Sequence, residues 1–118
     1  MKENIIKGKS FDFAVRVVNL YKYLSNEKQE FVLSKQLLRS GTAIGALVRE
    51  AEQAESKADF IHKLAISLKE ANESDYWIEL IYQTDYLTEK QYKSIKDDNM
   101  ELIKLLTSII KSSKKIDN

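Results

Sequence analysis

Apolar residues recur every three or four positions along most of the chain, which is the spacing of one face of an α-helix. Short polar stretches separate four such segments, and we predict helices over about 11–24, 34–53, 57–86 and 89–113. Short loops between long helices place consecutive helices side by side in opposite directions. The pattern therefore predicts an all-α fold, an antiparallel up-down-up-down four-helix bundle, in a single domain over 1–118.

Residues that commonly cap helices stand near the predicted starts. Ser10 is the predicted N-cap of the first helix, and the hydroxyl of Ser34 is predicted to cap the second. The third helix starts at Ser56-Lys-Ala-Asp59, a capping signature, and the fourth at Thr88-Glu-Lys-Gln91, a capping box. These signals define where each predicted helix begins.

The first predicted helix carries two neighbouring apolar stripes. One stripe contains Phe11, Ala14, Val18 and Tyr21, and the adjacent one contains Phe13, Val17, Leu20 and Leu24. Together they make an apolar face wider than one helix seam requires. This breadth favours self-association of the bundle.

Two glycines lie inside the second predicted helix. Gly41 and Gly45 are four residues apart, so they share one helical face. Each costs about 0.8–1 kcal/mol relative to alanine in a helix interior. Two glycines on one stripe therefore predict that another backbone passes very close. The small residues Ser67, Ala71 and Ser74 of the third helix are candidates to face them.

Composition supports a small helical protein. The 118 residues include no proline and only three glycines, which disfavours folds that need many tight turns. Cysteine is absent, which excludes disulfides and thiolate metal sites and fits a cytoplasmic protein. The polar N-terminus has no apolar signal-peptide core, and no apolar run approaches the length of a membrane span, so neither is predicted.

The sequence shows no catalytic or metal-binding motif. His62 is the only histidine, and with Asp59 it forms a single Asp-x-x-His, whereas di-iron bundles need paired Glu-x-x-His motifs. Glycine-rich phosphate loops, zinc spacings and a Ser/His/Asp set are likewise missing. We therefore expect neither enzymatic activity nor a cofactor.

One face of the third predicted helix mixes charged and apolar side chains, namely Lys63, Ile66, Glu70, Glu73 and Trp77. A solvated face with weak ion pairs, worth about 0.2–0.5 kcal/mol each, is one interpretation. A contact surface is the favoured one, because Tyr76 and Trp77 lie beside the charges and aromatic residues are enriched at interfaces.

Three blocks of the sequence, Leu33–Ala51, Ala54–Leu64 and Lys69–Trp77, resemble one protein family. It is the four-helix-bundle family encoded in intervening sequences of bacterial 23S rRNA genes, which includes the accessory variability protein of diversity-generating retroelements. The resemblance implies a non-catalytic subunit of a barrel-like homopentamer. It also implies RNA, DNA or a reverse transcriptase as a partner. Since no membrane span is predicted, we expect no membrane partner.

The resemblance extends to individual positions. The matching residues are Gln36, Arg39, Ser40, Gly41, Glu50 and Ala51 in the second helix and Lys63, Glu70, Tyr76 and Trp77 in the third. We expect helix-packing or subunit contacts from eight residues, namely Gln36, Arg39, Gly41, Gly45, Lys63, Glu70, Tyr76 and Trp77. The chain departs from the family at Ala43 and Leu47, where serine and asparagine are usual.

The cationic residues leave two interpretations open. The formal net charge is only +1, so nucleic-acid binding would need clustered charge or charge repeated by assembly. Arg16, Lys22, Lys35 and Arg49 are the candidate nucleic-acid contacts, with a solvated surface as the alternative. For Arg39 we expect pairing with a carboxylate, from Glu50, Glu70 or Glu73.

The leading hypothesis is a non-catalytic homopentameric scaffold that binds nucleic acid, or an enzyme acting on nucleic acid, through a surface formed on assembly. The alternative is a protein-interaction adaptor with no nucleic-acid role.

Overall fold

The computed structural model describes residues 2–116, and helices account for most of that range. They are α1 (Lys2–Asn26), α2 (Leu33–Glu52), α3 (Lys57–Gln83) and α4 (Glu89–Ile116). No strand occurs between residues 2 and 116. The end positions of the predicted 1–118 domain, Met1, Asp117 and Asn118, lie outside the described residues.

Each helix packs against its neighbours in the chain, and α1 also packs against α4. Every helix therefore has two helical neighbours, and all four enclose one elongated core in a body of 50 × 22 × 19 Å. The buried apolar side chains come from all four helices, and those less than 2 % exposed include Phe13, Val17, Leu24, Leu37, Ile44, Ile78, Ile81, Leu102 and Leu106. Burying one such side chain stabilises the fold by about 1.5–3 kcal/mol.

The prediction for the start of α1 is wrong. The helix begins at Lys2 rather than near Phe11, and Ser10 lies inside it instead of capping it. The Ser10 hydroxyl is buried and donates a hydrogen bond to the carbonyl of Lys7. The pattern does not predict a helix over residues 2–10, because Ile6 is the one apolar residue there that is buried in the core. A single core residue among charged neighbours shows no helical periodicity.

The start of α2 is also capped differently from the prediction. Ser34 lies in the first turn, and its hydroxyl donates to the carbonyl of Glu30. The buried carboxylate of Glu30 accepts from the backbone N–H groups of Val32 and Leu33 at 3.0 Å and of Ser34 at 2.8 Å. A glutamate before the helix therefore satisfies the amides that a helix start leaves without partners.

The predicted caps of α3 and α4 are confirmed. Ser56 accepts a hydrogen bond from the backbone N–H of Asp59 at 3.0 Å. Thr88 and Gln91 form a reciprocal capping box, in which each side chain accepts from the other's backbone N–H.

The end predicted for the third helix, near residue 86, is too late. The helix ends at Gln83, and Asp85 then turns the chain with a φ of 71°.

The glycines of α2 bring it close to another helix, as predicted. A Cβ added at Gly45 would lie 3.2 Å from the backbone oxygen of Ser10, and one added at Gly41 would lie 2.8 Å from Cγ2 of Val17. Both glycines are buried. The close neighbour is α1, however, so the expectation that α3 faces the glycines is wrong.

The small residues of α3 face a different side of α2. Ser67 donates to the carbonyl of Ile44 at 2.9 Å, and Ser74 donates to the hydroxyl of Ser40 at 2.9 Å. All three serines are fully buried, and these hydrogen bonds satisfy them. Thus glycines allow α1 to approach α2 closely, whereas buried serine hydrogen bonds fix how α3 lies along α2.

We expect Gly41→Ala to lower the free energy of unfolding by about 1 kcal/mol. Crowding a packed core costs about 1–3 kcal/mol, and the gain in helix propensity returns only about 0.8–1 kcal/mol. Gly8→Ala is the matched control, because nothing lies within 4 Å of its added Cβ. It should stabilise the protein by about 0.5–1 kcal/mol. Urea denaturation measures both, and equal stabilisation by the two variants would refute close packing at Gly41.

Glu30 gives a pH-dependent prediction. Burial raises the pKa of its carboxyl, but the hydrogen bonds from the N–H groups of Leu33, Ser34 and Val32 together lower it by more. The pKa in the folded state is therefore below the ordinary 4.5. Its stabilising contribution is therefore complete above about pH 4.5 and is lost as pH falls through the folded pKa.

Glu30→Gln should consequently cost about 1 kcal/mol at neutral pH. The difference in the free energy of unfolding between this variant and the wild type should become smaller in acid. Urea denaturation at neutral pH and below pH 4.5 measures it. Glu27→Gln changes an exposed carboxylate just after α1 and should cost nothing at either pH. A gap for Glu30→Gln that stays constant with pH would contradict the capping role.

Candidate interaction surface

An exposed apolar area lies where α1 and α2 meet at the outside of the bundle. We call it the α1/α2 surface, and it comprises Phe11, Ala14, Val15, Thr42, Ala46 and Arg49. Phe11 is 52 % exposed and Val15 is 45 % exposed. The side chains of Phe11, Ala14, Thr42, Ala46 and Arg49 line a shallow depression of about 260 Å³. The Arg49 guanidinium lies 5.2 Å from the centre of the Phe11 ring.

The helical phase of α1 explains why this surface is exposed. Phe13 and Val17 belong to the buried stripe, so Phe11 and Val15 point away from the core. Of the two apolar stripes predicted for the first helix, only the one containing Phe13 is core. The stripe containing Phe11 is exposed or half-buried, and sequence periodicity alone could not tell the two apart.

A second exposed apolar pair precedes α2. Phe31 is 51 % exposed and Val32 is 70 % exposed. They lie in the connection between α1 and α2, next to the Glu30 cap. Neither residue belongs to an apolar stripe predicted from the sequence, although two large apolar residues in a short connection are a detectable signal.

The four candidate nucleic-acid contacts do not form one group. Arg16 points to α4, where it donates to the carboxylate of Asp98 at 2.6 Å and to the carbonyl of Ser94 at 3.2 Å. Arg49 lies on the α1/α2 surface. Lys22 and Lys35 are exposed; Lys22 lies seven residues after Val15, and Lys35 lies seven residues before Thr42, each on the same helical face as that residue.

A polar seam joins α2 to α3. Arg39 contacts the carboxylate of Glu70 at 3.3 Å and also pairs with Glu73, as predicted for this arginine. The indole N–H of Trp77 donates to Glu73 at 2.9 Å. The bonds from Trp77 and Arg39 lower the pKa of the Glu73 carboxyl more than burial raises it. The same two carboxylates raise the pKa of Arg39.

The seam continues through Lys63, which contacts Glu50 at 3.1 Å. Gln36 is exposed on α2. Tyr76 is 59 % exposed and meets the half-buried Trp77 edge to face, with ring centres 5.0 Å apart. Lys63 and Glu70 therefore hold α3 to α2 within the same chain. Trp77 bonds to Glu73 within α3, and the Tyr76 ring remains available to a partner.

A cluster between α3 and α4 was not predicted. The rings of Tyr82 and Tyr92 stack with centres 4.0 Å apart, and the Tyr92 hydroxyl donates to Glu79 at 2.7 Å. That bond lowers the pKa of Glu79 and raises the pKa of Tyr92. Lys96 contacts Asp75 at 3.1 Å. The charges of the cluster are paired with one another, so we interpret it as a structural contact that holds α3 against α4.

Residues 2–116 contain no group of three or more histidine, cysteine, aspartate or glutamate side chains arranged to hold a metal ion. His62 is exposed on α3. None of the helices in the described range combines the length and apolar character needed to cross a membrane.

Comparisons with known proteins agree with the fold. The family model of the 23S rRNA-intervening sequence protein matches residues 2–108. The chain is 65 % identical to a solved protein with unknown function from the S23 ribosomal protein family of Bacteroides thetaiotaomicron VPI-5482. That likeness has a TM-score of 0.93 and covers 94 % of this chain and 99 % of that chain. No curated protein matches at a significant level. The family match spans nearly all of the chain and confirms the resemblance seen in the sequence, so this chain belongs to the 23S rRNA-intervening sequence protein family.

Proposed function

We propose that the chain is the up-down-up-down subunit of a barrel-like homo-oligomer. The contacts support the antiparallel arrangement, because residues in the first half of one helix meet residues in the second half of its neighbour. Ser10 lies against Gly45, Ser40 against Ser74, and Asp75 against Lys96. The family resemblance suggests five copies.

The observation that carries this proposal is the exposure of the α1/α2 surface. A single bundle leaves the Phe11 ring half in water, beside Val15 and a depression of about 260 Å³. Contiguous exposed apolar surface with a polar rim is typical of a protein interface. When such a surface meets a different surface of the next copy, repetition closes a ring if the rotation between copies closes, and otherwise gives an open filament.

We further propose that the assembly is a non-catalytic cytoplasmic scaffold that binds RNA or DNA, or an enzyme acting on nucleic acid such as a reverse transcriptase. The candidate contacts are Arg16, Lys22, Lys35 and Arg49. Lys22 and Lys35 are the best placed of these, because both are exposed and, unlike Arg16 and Arg49, neither contacts a carboxylate or an aromatic ring of the described residues. Repetition around a ring would multiply a weak local charge into a strong field.

The alternative function is an adaptor that binds another protein and has no nucleic-acid role. The exposed Tyr76 ring favours it, since it stands beside Trp77 and the paired charges of Arg39 and Glu73. An aromatic ring surrounded by oriented charges resembles the energetic centre of a protein interface.

Self-association gives the first test of this proposal. Phe11→Glu places a charge in the α1/α2 surface and should weaken assembly by at least about 2 kcal/mol, the cost of losing an interface hot spot. Asn26→Glu adds the same charge at the exposed end of α1 and should leave assembly intact. Native mass spectrometry measures both. A wild-type protein that is monomeric at micromolar concentration would rule out the homo-oligomer.

Nucleic-acid binding is tested by fluorescence anisotropy with labelled single-stranded and duplex RNA at low and high salt. Binding should weaken steeply as salt rises, because phosphate contacts release counterions. The double variant Lys22→Gln/Lys35→Gln should bind more weakly and with a shallower salt slope. Lys69→Gln/Lys93→Gln, which removes two exposed lysines elsewhere, should not. An intact oligomer that binds no RNA at low salt would leave the adaptor function standing.

A further inference from the structure

A cleft opens between α1 and α4 at the end of the bundle where α1 finishes and α4 starts. It encloses about 450 Å³, which lies within the 300–1,000 Å³ typical of small-molecule sites. Its lining comes from Arg16, Asn19, Leu20 and Tyr23 of α1, Leu87 before α4, and Lys90, Gln91, Ser94 and Ile95 of α4. It lies on a different side of α1 from the α1/α2 surface.

The floor of the cleft is apolar. Leu87 and Ile95 are buried parts of the core, and Leu20 and Tyr23 are half-buried against it. The α3/α4 aromatic cluster and the polar seam lack this property, because their side chains already pair with one another. An apolar ligand body would therefore displace water from the cleft without breaking any contact within the chain.

The rim of the cleft is polar and cationic. Two of its lining residues, Arg16 and Lys90, carry positive charge, and none of the lining residues carries a carboxylate. Arg16 is held in place by both the carbonyl and the hydroxyl of Ser94, while Asp98 compensates its charge from outside the cleft. Lys90 is exposed, and residues 2–116 supply it with no ion pair.

The hydrogen-bonding groups at the rim favour the same sign of charge. The amide oxygen of Gln91 is occupied by the backbone N–H of Thr88, which leaves the NH₂ group of Gln91 to donate. The first turn of α4 contributes the positive end of a helix dipole. A buried apolar floor under an excess of donors and positive charge is complementary to an amphipathic anion.

We propose that the α1/α4 cleft binds a small organic anion with an apolar body, such as an aromatic or branched aliphatic carboxylate, sulfonate or phosphate. The apolar body lies on Leu20, Leu87 and Ile95, and the anionic group meets Lys90 at the rim. Arg16 and Gln91 orient it. This inference does not rest on the proposed function, because it concerns the single bundle and a different surface.

The test uses 8-anilinonaphthalene-1-sulfonate, an aromatic sulfonate whose fluorescence rises in apolar sites, with the full chain. We expect saturable binding at one site per chain. Lys90→Ala should weaken it about tenfold, the effect of losing one charge-assisted contact. Lys93→Ala, an exposed lysine one turn further along α4, should change it less than twofold. Asn19→Trp should abolish it by filling the cleft, and circular dichroism checks that each variant folds.

Three results would overturn the proposal. Equal binding by Lys90→Ala and Lys93→Ala would show that the anionic group does not meet the rim. Loss of binding in Phe11→Glu with retention in Asn19→Trp would place the probe on the α1/α2 surface instead. Absence of saturable binding to the wild type would show that the cleft is closed to such anions, whether or not the chain assembles or binds RNA.

Discussion

The approach of α1 to α2 sets the orientation of the exposed groups. Because Gly45 has no side chain, the backbone of α1 at Ser10 comes within contact distance of α2, and Gly41 makes room for Val17 in the same way. A helix held that close cannot rotate about its axis without clashing. Its phase is therefore fixed, with Phe13 inside and Phe11 outside. The exposed α1/α2 surface is thus a consequence of the glycine contact.

The other seams of the bundle rely on hydrogen bonds rather than on missing side chains. Ser67 and Ser74 tie α3 to α2, and Asn99 of α4 donates to the carbonyl of Ala71 at 2.9 Å. Asn99 is fully buried, and its side-chain oxygen has no partner within residues 2–116. If α4 slid along α3, Asn99 would lose this hydrogen bond, and an unpaired amide in an apolar core is unfavourable. These contacts align the helices lengthwise, whereas the glycines set their separation.

Much of this fold could be predicted from the sequence, and the failures have physical causes. The bundle, three helix starts to within a residue, and the close contact at Gly41 and Gly45 follow from period, capping signals and the cost of helical glycine. The start of α1 could not be predicted, because Ile6 is the one buried apolar residue in its first turns and a single residue shows no helical periodicity. The choice of α1 rather than α3 as neighbour of the glycines depends on how four helices pack together. The α1/α4 cleft arises from residues far apart in sequence, and no local pattern marks it.

The distribution of arginine constrains how assembly and nucleic-acid binding can coexist. Arg16 and Arg39 are already paired with carboxylates of their own chain, which leaves Arg49, the third arginine, over the Phe11 ring. If a second copy covers the α1/α2 surface, it also covers Arg49. A buried guanidinium then needs a carboxylate or carbonyl from that copy, because an unpaired charge away from water is strongly unfavourable. Arg49 would therefore serve assembly rather than phosphate binding. If the chain also binds a nucleic acid, the positive charge that contacts it would come from lysines outside the interface, where a flexible ammonium keeps its water.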